Sequence, residues 1–203
     1  MSLVFEKRKS VSRTAIVVVP VVSFMASLAL TGALLMIFGA DPLATYASMA
    51  KGAFGSARAF TETLVKAIPL MLTGLGVALA FKLRFWNIGA EGQLTLASIA
   101  ATWVALYWNW LPGPLVLPVL VLVGCAAGAL WAGVPALLKT RLNVDETLVT
   151  LMLNYVALLL AEFLYYGPWR DPKGFGFPGT MVFPKEAWFP RIAGRAHIGL
   201  YFA

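Results

Sequence analysis

The stretch FWNIGAEGQL, residues 85–94, lies between two apolar runs and carries Asn87, Glu91 and Gln93 interleaved with Gly89 and Gly92. It is either an ordinary wet loop or a polar segment that the surrounding protein must satisfy, and the surroundings decide which. The chain is 60% hydrophobic and 12% charged over 203 residues, with a mean hydropathy of +0.81. Soluble domains carry about 25% charged residues. So large a deficit, spread over several apolar blocks, indicates an integral membrane protein.

Cys125 is the single cysteine and His197 the single histidine. A disulfide framework within one chain is therefore excluded, and the usual zinc-ligand patterns are absent. The net charge of +7 raises the question of nucleic acid. The basic residues, however, are scattered beside apolar blocks, where membrane flanks place them, so the expected partner is a lipid bilayer and no nucleic acid.

Five apolar segments, at 14–38, 63–81, 88–107, 115–138 and 147–166, each approach the roughly 20 residues a helix needs to cross the hydrocarbon core. HIGLYFA, residues 197–203, reads as the start of a sixth. The expected fold class is all-α, a polytopic transmembrane helical bundle of about five complete membrane helices plus that start, forming a single domain over 1–203. The first run is too long for the apolar part of a cleaved signal and reads as a retained helix.

Orientation follows from the basic residues. With the N-terminus in the cytoplasm, Lys7, Arg8, Lys9, Arg13, Lys82, Arg84, Lys139 and Arg141 are cytoplasmic. Lys51, Arg58, Lys66, Arg170, Lys173, Lys185, Arg191 and Arg195 then lie outside. The two sets are equal in number; the dense cluster before the first helix and the two short basic loops favour this orientation. Tyr107, Trp108 and Trp110 close the third segment and Tyr165, Tyr166 and Trp169 the fifth, as in an interfacial aromatic belt. Residues 39–62 are rich in Ala, Gly and Ser and suit a short interfacial helix. Residues 167–190 contain five prolines and read as an external loop.

If the third helix starts near Ile88, Glu91, Thr95, Ser98 and Thr102 share one face at about 100° per residue. A polar stripe in a membrane helix must meet protein, water or solute. It reads either as the lining of a translocation path or as helix packing. Asn87 suits the cap of that helix, and Glu91 is favoured near its N-terminus. The fifth segment carries Thr147, Thr150, Asn154 and Tyr165. The Asn154 amide needs a partner inside the membrane, whether solute or a neighbouring helix. Gly124, Gly128 and Ala132 form a small-residue face for close helix contact, and Pro20 and Pro69 permit kinks. In VPALLKTRLNVDETL, residues 134–148, Pro135 is expected to disrupt the end of the fourth helix. Lys139 and Arg141 hold the segment at the cytoplasmic face, and Asn143 with Glu146 resembles a capping box. The outcome is a short amphipathic element, or simply a tight connection between membrane helices.

PLMLTGLGVALAFKLRFWNIGAEGQLTLASIAA (69–101) and LNVDETLVTLMLNYVALLL (142–160) resemble permease subunits of ATP-binding-cassette importers. The group is that of the branched-chain amino acid and ribose-type permeases, and NIGAEGQ and TLMLNY are most similar to its nucleoside and simple-sugar branch. The resemblance implies a multi-pass subunit of the bacterial inner membrane. Its implied partners are a second permease subunit, cytoplasmic ABC ATPases and an extracytoplasmic solute-binding protein. It assigns ATPase coupling to residues 136–146, with Lys139, Arg141, Asn143, Asp145 and Glu146 as candidates. It sets Asn87, Glu91 and Gln93 near the path, alongside Thr95, Ser98, Thr102 and Asn154. No G-x-x-x-x-G-K-[ST] is present, so ATP is expected to be hydrolysed by a partner ATPase, with no cofactor bound by this chain. Family members continue through several more membrane helices, so a truncated permease is expected. The other classes are a secondary carrier or channel independent of ATP, and a membrane enzyme. Against the enzyme, Glu91, Asp145, Glu146 and Glu162 show no pairing with histidine or a metal cluster, and no catalytic residue is expected.

Overall fold

The computed structural model describes residues 12–201 except 176, 194 and 195. Lys7, Arg8, Lys9 and Arg195 of the charge comparison, and Phe202 and Ala203 of the last apolar stretch, lie outside the described residues. The chain divides into two compact units, Met1–Phe60 and Thr61–Ala203.

The first unit holds α1 (Arg13–Ile37) and α2 (Pro42–Phe54). The Ser12 hydroxyl opens α1 by accepting from the Ala15 N–H at 3.3 Å. At the other end Gly39 takes a φ of 77°, so that its N–H reaches the Met36 carbonyl and the Ala40 N–H reaches the Leu35 carbonyl. This closure satisfies carbonyls the helix leaves open, and its left-handed residue is one glycine adopts without a Cβ clash. Asp41 then caps α2, accepting from Leu43 N–H at 2.8 Å and Ala44 N–H at 3.3 Å. Pro42 follows at the first helical position, where a missing N–H leaves no bond unmade. The Tyr46 hydroxyl donates to the Leu28 carbonyl at 2.7 Å and fastens α2 back on α1. The short helix expected within 39–62 is α2.

In the second unit α3 (Ala57–Lys82, from Thr61 onward) is followed by α4 (Ala90–Tyr107), α5 (Gly113–Leu142) and α6 (Glu146–Tyr166). Helix α4 packs along both α5 and α6. A Cβ on Gly124 or Gly128 would lie 3.4 Å from the Ala97 carbonyl or 3.3 Å from the Gln93 carbonyl, so the small-residue face of α5 brings it directly against the backbone of α4. Val104, Ala105, Val116 and Leu120 form a buried cluster near the C-terminal end of α4, with Trp108, Leu111 and Ala187 packed on it. At that same end the Tyr107 and Trp169 rings stand 6.4 Å apart and Trp108 stacks on Trp110 at 5.5 Å. The aromatic residues expected to close two helices thus gather in one place. Beyond α6 the chain is irregular, with an Arg170–Thr180 bridge and a 3-10 turn over Lys185–Ala187. Strands β1 (Arg191–Ala193) and β2 (Ala196–His197) then pair antiparallel.

The all-α membrane architecture stands, with four differences from the sequence expectation. Among the described residues four helices, not five, are long and apolar enough to cross a membrane. The exception is α4, 18 residues long with Glu91 in its first turn; much of its surface is covered by α5 and α6 and does not need lipid. Elsewhere Leu30, Leu34, Leu70, Leu79, Leu122, Leu130 and Leu159 are exposed, as side chains solvated by hydrocarbon are. Second, residues 197–201 do not begin an α-helix. The Ile198 N–H turns back to the Pro190 carbonyl at 3.0 Å, and a 3-10 turn covers Ile198–Tyr201. Third, Pro135 does not end the helix before the elbow: it is buried inside α5, which runs on to Leu142. Fourth, Asn143 is not a capping residue for α6. It takes a φ of 53° and closes α5, its N–H reaching the Lys139 carbonyl at 3.1 Å. Asp145 caps α6 instead, accepting from Thr147 N–H at 2.8 Å and Leu148 N–H at 3.1 Å.

The α1–α2 corner depends on one backbone conformation and one cap. Gly39→Ala is expected to destabilise it by about 1–2 kcal/mol and Asp41→Ala by about 1 kcal/mol. Gly52→Ala, where an added methyl meets open space in α2, should be neutral or stabilising. Thermal unfolding in detergent, followed by far-ultraviolet circular dichroism, ranks the three.

Candidate functional site

Between α3 and α4 the chain leaves helical geometry over residues 83–89. Helix α3 closes with Arg84 in the left-handed region, φ 55°. The Arg84 N–H reaches the Phe81 carbonyl and the Phe85 N–H reaches the Ala80 carbonyl, both at 3.0 Å. This is the closure Gly39 makes at the end of α1, with arginine where glycine is usual. Non-helical backbone among membrane helices needs hydrogen-bond partners from the protein, and here α6 supplies them.

Glu146, Thr150 and Asn154 stand four residues apart and so share one face of α6. Glu146 Oε1 accepts from the Trp86 N–H at 3.3 Å. Thr150 Oγ1 accepts from the Ile88 N–H at 3.3 Å and donates to the Thr147 carbonyl at 3.1 Å. Asn154 Oδ1 accepts from the Gly92 N–H, and its Nδ2 donates to the Ile88 carbonyl at 3.4 Å. Thr150 and Asn154 are 1% and 9% exposed. The glycines make this approach possible. A Cβ on Gly89 would lie 2.9 Å from the Thr150 carbonyl oxygen, and one on Gly92 would lie 2.6 Å from Asn154 Oδ1 and 2.9 Å from Asn154 Cα.

Asn87, 8% exposed, holds the same segment from within. Its Oδ1 accepts from the Gly89 N–H at 3.0 Å and from Gln93 Nε2 at 3.1 Å, while its Nδ2 donates to Gln93 Oε1 at 3.2 Å. The two amides form a reciprocal pair. The N-cap position of α4 is Gly89, not Asn87; Asn87 acts one turn earlier, folding the connection rather than opening the helix.

The structure divides the sequence candidates between two grooves. Asn87 and Gln93 border a groove of about 250 Å³ whose other wall is Thr73, Gly76 and Val77 of α3. Ser98 and Thr102 border a larger, mostly apolar cleft of about 510 Å³ with Gly124 and Cys125 of α5 and with Phe183 and Phe189. Glu91 and Thr95 border neither. The Thr95 and Ser98 hydroxyls donate to the Glu91 and Leu94 carbonyls of their own helix, both at 2.8 Å. The Glu91 carboxylate is exposed and makes no hydrogen bond among the described residues. Asn154 lies inside the α4–α6 contact, with its amide bonded to protein.

The coupling candidates also separate. Lys139 pairs with Glu146, donates to the Arg84 carbonyl at 3.1 Å, and lies 5.3 Å from the centre of the Phe85 ring. Asp145 is occupied as a cap. Arg141 and Asn143 are exposed at the elbow between α5 and α6. Sequence reasoning missed the joint role of Glu146, Thr150 and Asn154. The four-residue spacing was visible, but nothing in one sequence names the backbone groups those side chains meet.

The fold and site together define a multi-pass helical membrane protein built around a broken, amide-lined connection. Residues 59–198 match the family described as the branched-chain amino acid transport system permease component, and the chain belongs to that family. It is 41% identical over 175 residues to the glucose ABC transporter permease protein TsgB13 of Haloferax volcanii, covering 86% of this chain and 46% of that protein. It is 34% identical over 154 residues to the guanosine ABC transporter permease protein NupP of Bacillus subtilis, covering 76% of this chain and 44% of that one. It is likewise 34% identical to the nucleoside ABC transporter permease protein NupB of Lactococcus lactis, over 76% of this chain and 43% of that protein. The chain thus spans a little under half the length of the curated relatives it matches. No solved structure matches it.

The contact between α4 and α6 makes a direct prediction. Gly92→Ala should lower stability by about 1–3 kcal/mol through overpacking. Asn154→Leu should cost about 1–3 kcal/mol for each backbone group left unpaired. Gly74→Ala in α3, where the added methyl meets nothing within 4 Å, should instead gain about 0.5–1 kcal/mol. Thermal unfolding in detergent distinguishes them, and equal melting of all three would remove the close contact from the account.

Proposed function

We propose that this chain is part of the membrane-spanning region of a permease subunit in an ATP-driven importer, which carries a small uncharged polar solute of the nucleoside or simple-sugar class. The observation that carries the reading is the amide-lined groove beside the broken α3–α4 connection. Its Asn87–Gln93 pair lines the groove with polar groups that carry no charge, and each amide keeps one N–H beyond the bond it makes to the other, which suits a hydroxyl-rich neutral solute better than an ion or an amino acid. The names of the three relatives, glucose, guanosine and nucleoside permeases, point the same way. The two units are parts of one permease domain, and the hydroxyl stripe of α4 belongs to the wall of the path rather than to a binding site.

ATP is bound and hydrolysed by a separate cytoplasmic ATPase, a second permease subunit completes the path, and an extracytoplasmic binding protein delivers the solute. The exposed elbow around Arg141 and Val144 faces the ATPase. Membership of a permease family supports these partners in kind. The reading places the chain in the plasma membrane with its N-terminus in the cytoplasm. In support, Lys139 reaches the Arg84 carbonyl, so the basic ends of α3 and α5 lie together, as positive charge on the cytoplasmic side requires.

The test is retention of the ATPase on detergent-solubilised permease after co-expression. Arg141→Glu combined with Val144→Asp should abolish retention, since both side chains are exposed and neither makes a side-chain hydrogen bond or ion pair among the described residues. Asp145→Asn should preserve it, because asparagine also caps helices. If the unsubstituted permease retains no well-folded ATPase, and solute uptake survives without one, the protein is a secondary carrier or channel that does not depend on ATP.

A further inference from the structure

The ion pair at the α5–α6 elbow has more partners than a helix junction needs. Lys139 and Glu146 are 35% and 13% exposed at their side chains. Between them they hold three consecutive residues far back in the chain. Lys139 Nζ donates to the Arg84 carbonyl at 3.1 Å and sits 5.3 Å from the Phe85 ring centre, while Glu146 Oε1 accepts from the Trp86 N–H at 3.3 Å. Arg84 closes α3 in the left-handed region, a conformation costly for a residue with a Cβ, so the surrounding contacts have to hold it. The turn they hold is the end of the helix whose Thr73 and Gly76 form one wall of the groove of about 250 Å³. The other wall, Asn87 and Gln93, is fixed to α6 through Thr150 and Asn154. The two walls are therefore held by different helices: the Asn87–Gln93 wall by side chains of α6, and the end of α3 by Lys139 of α5, with Glu146 joining the two through its bond to Trp86 and its pair with Lys139.

We propose that Lys139 and Glu146 are positioning residues that tie the end of α3 to the elbow, so that a displacement of the elbow moves the α3 wall of the groove relative to the Asn87–Gln93 wall. The proposal deepens the permease reading and rests on it, because it takes the elbow as the segment that meets the ATPase. The ion pair acts through backbone contacts at Arg84 and Trp86, and not through its charge alone. Lysine at 139 gives the Arg84 carbonyl a donor, and the carboxylate at 146 gives both the Trp86 N–H and the Lys139 ammonium an acceptor.

The experiment uses the assembled permease and ATPase in proteoliposomes, in a Cys125→Ala background, with one reporter cysteine at a time. Val144→Cys reports on the elbow and Gly76→Cys on the α3 wall, where an added side chain meets nothing within 4 Å. The readout is the rate of labelling by a small maleimide, with and without trapping of the ATPase by ATP and vanadate. In the parent both reporters should change rate on trapping. Lys139→Met and, separately, Glu146→Leu, which leaves the Trp86 N–H without its acceptor, should abolish the change at Gly76→Cys while leaving the change at Val144→Cys and retention of the ATPase intact. The charge reversal Lys139→Glu with Glu146→Lys should fail to restore it, because it sets an acceptor against a carbonyl and a donor against an N–H. A Gly76→Cys response that persists in the single variants, that is absent in the parent, or that returns on charge reversal overturns the linkage. Absence of any response at Val144→Cys in the parent removes the permease–ATPase reading itself, and the linkage falls with it.

Discussion

Backbone that leaves helical geometry and packs against a neighbouring helix must find its hydrogen-bond partners there, and the rest of this structure is arranged around that constraint. Residues 83–89 between α3 and α4 carry N–H and C=O groups that no helix ladder pairs. One face of α6 answers them, with Glu146, Thr150 and Asn154 set at four-residue intervals against Trp86, Ile88 and Gly92. For these side chains to arrive, the facing residues must have no side chain of their own, which is why Gly89 and Gly92 stand where they do. The polar residues of the opening stretch are thus not a wet loop. They are the inner half of a hydrogen-bonded junction whose outer half lies about sixty residues further along.

The membrane class and the approximate helix positions were legible because long apolar runs have few other physical explanations. The small-residue face of α5 was legible for the same kind of reason: Gly124 and Gly128 at a four-residue spacing have one obvious use. The end of α5 was not. Pro135 suggested a break, yet its ring is accommodated inside the helix, as membrane helices allow when neighbours re-satisfy the freed carbonyl. Asn143 and Asp145 each had the chemistry to cap α6. The choice fell to Asp145 because Asn143 was already taken by the left-handed closure of α5. Local pattern alone does not rank two such residues, since the ranking depends on the helix before them.

The candidate site was half legible. The α4 stripe of Glu91, Thr95, Ser98 and Thr102 is a valid helical face, but its residues do not share a cavity, and the Thr95 and Ser98 hydroxyls are bonded to carbonyls of their own helix. Helical periodicity reports direction and says nothing of whether a donor is free. The residues that do border the polar groove, Asn87 and Gln93, came from the opening stretch, and their partners Thr73 and Gly76 came from a helix with no polar periodicity to mark it. A groove between two elements is a property of their packing, and it leaves no trace in either one read separately.

The ties at the two ends of the α4–α6 pair have a consequence for motion. At one end Trp86, Ile88 and Gly92 are bonded to α6, and at the other the Tyr107 ring meets Trp169, just past the end of α6. Sliding α4 along α6 by one residue would shift it about 1.5 Å, enough to break every one of those bonds at once. These ties oppose sliding of α4 along α6. The close, small-residue contact between the two helices is thus pinned in register by side-chain bonds, unlike surfaces of that kind that leave helix free to slide past helix.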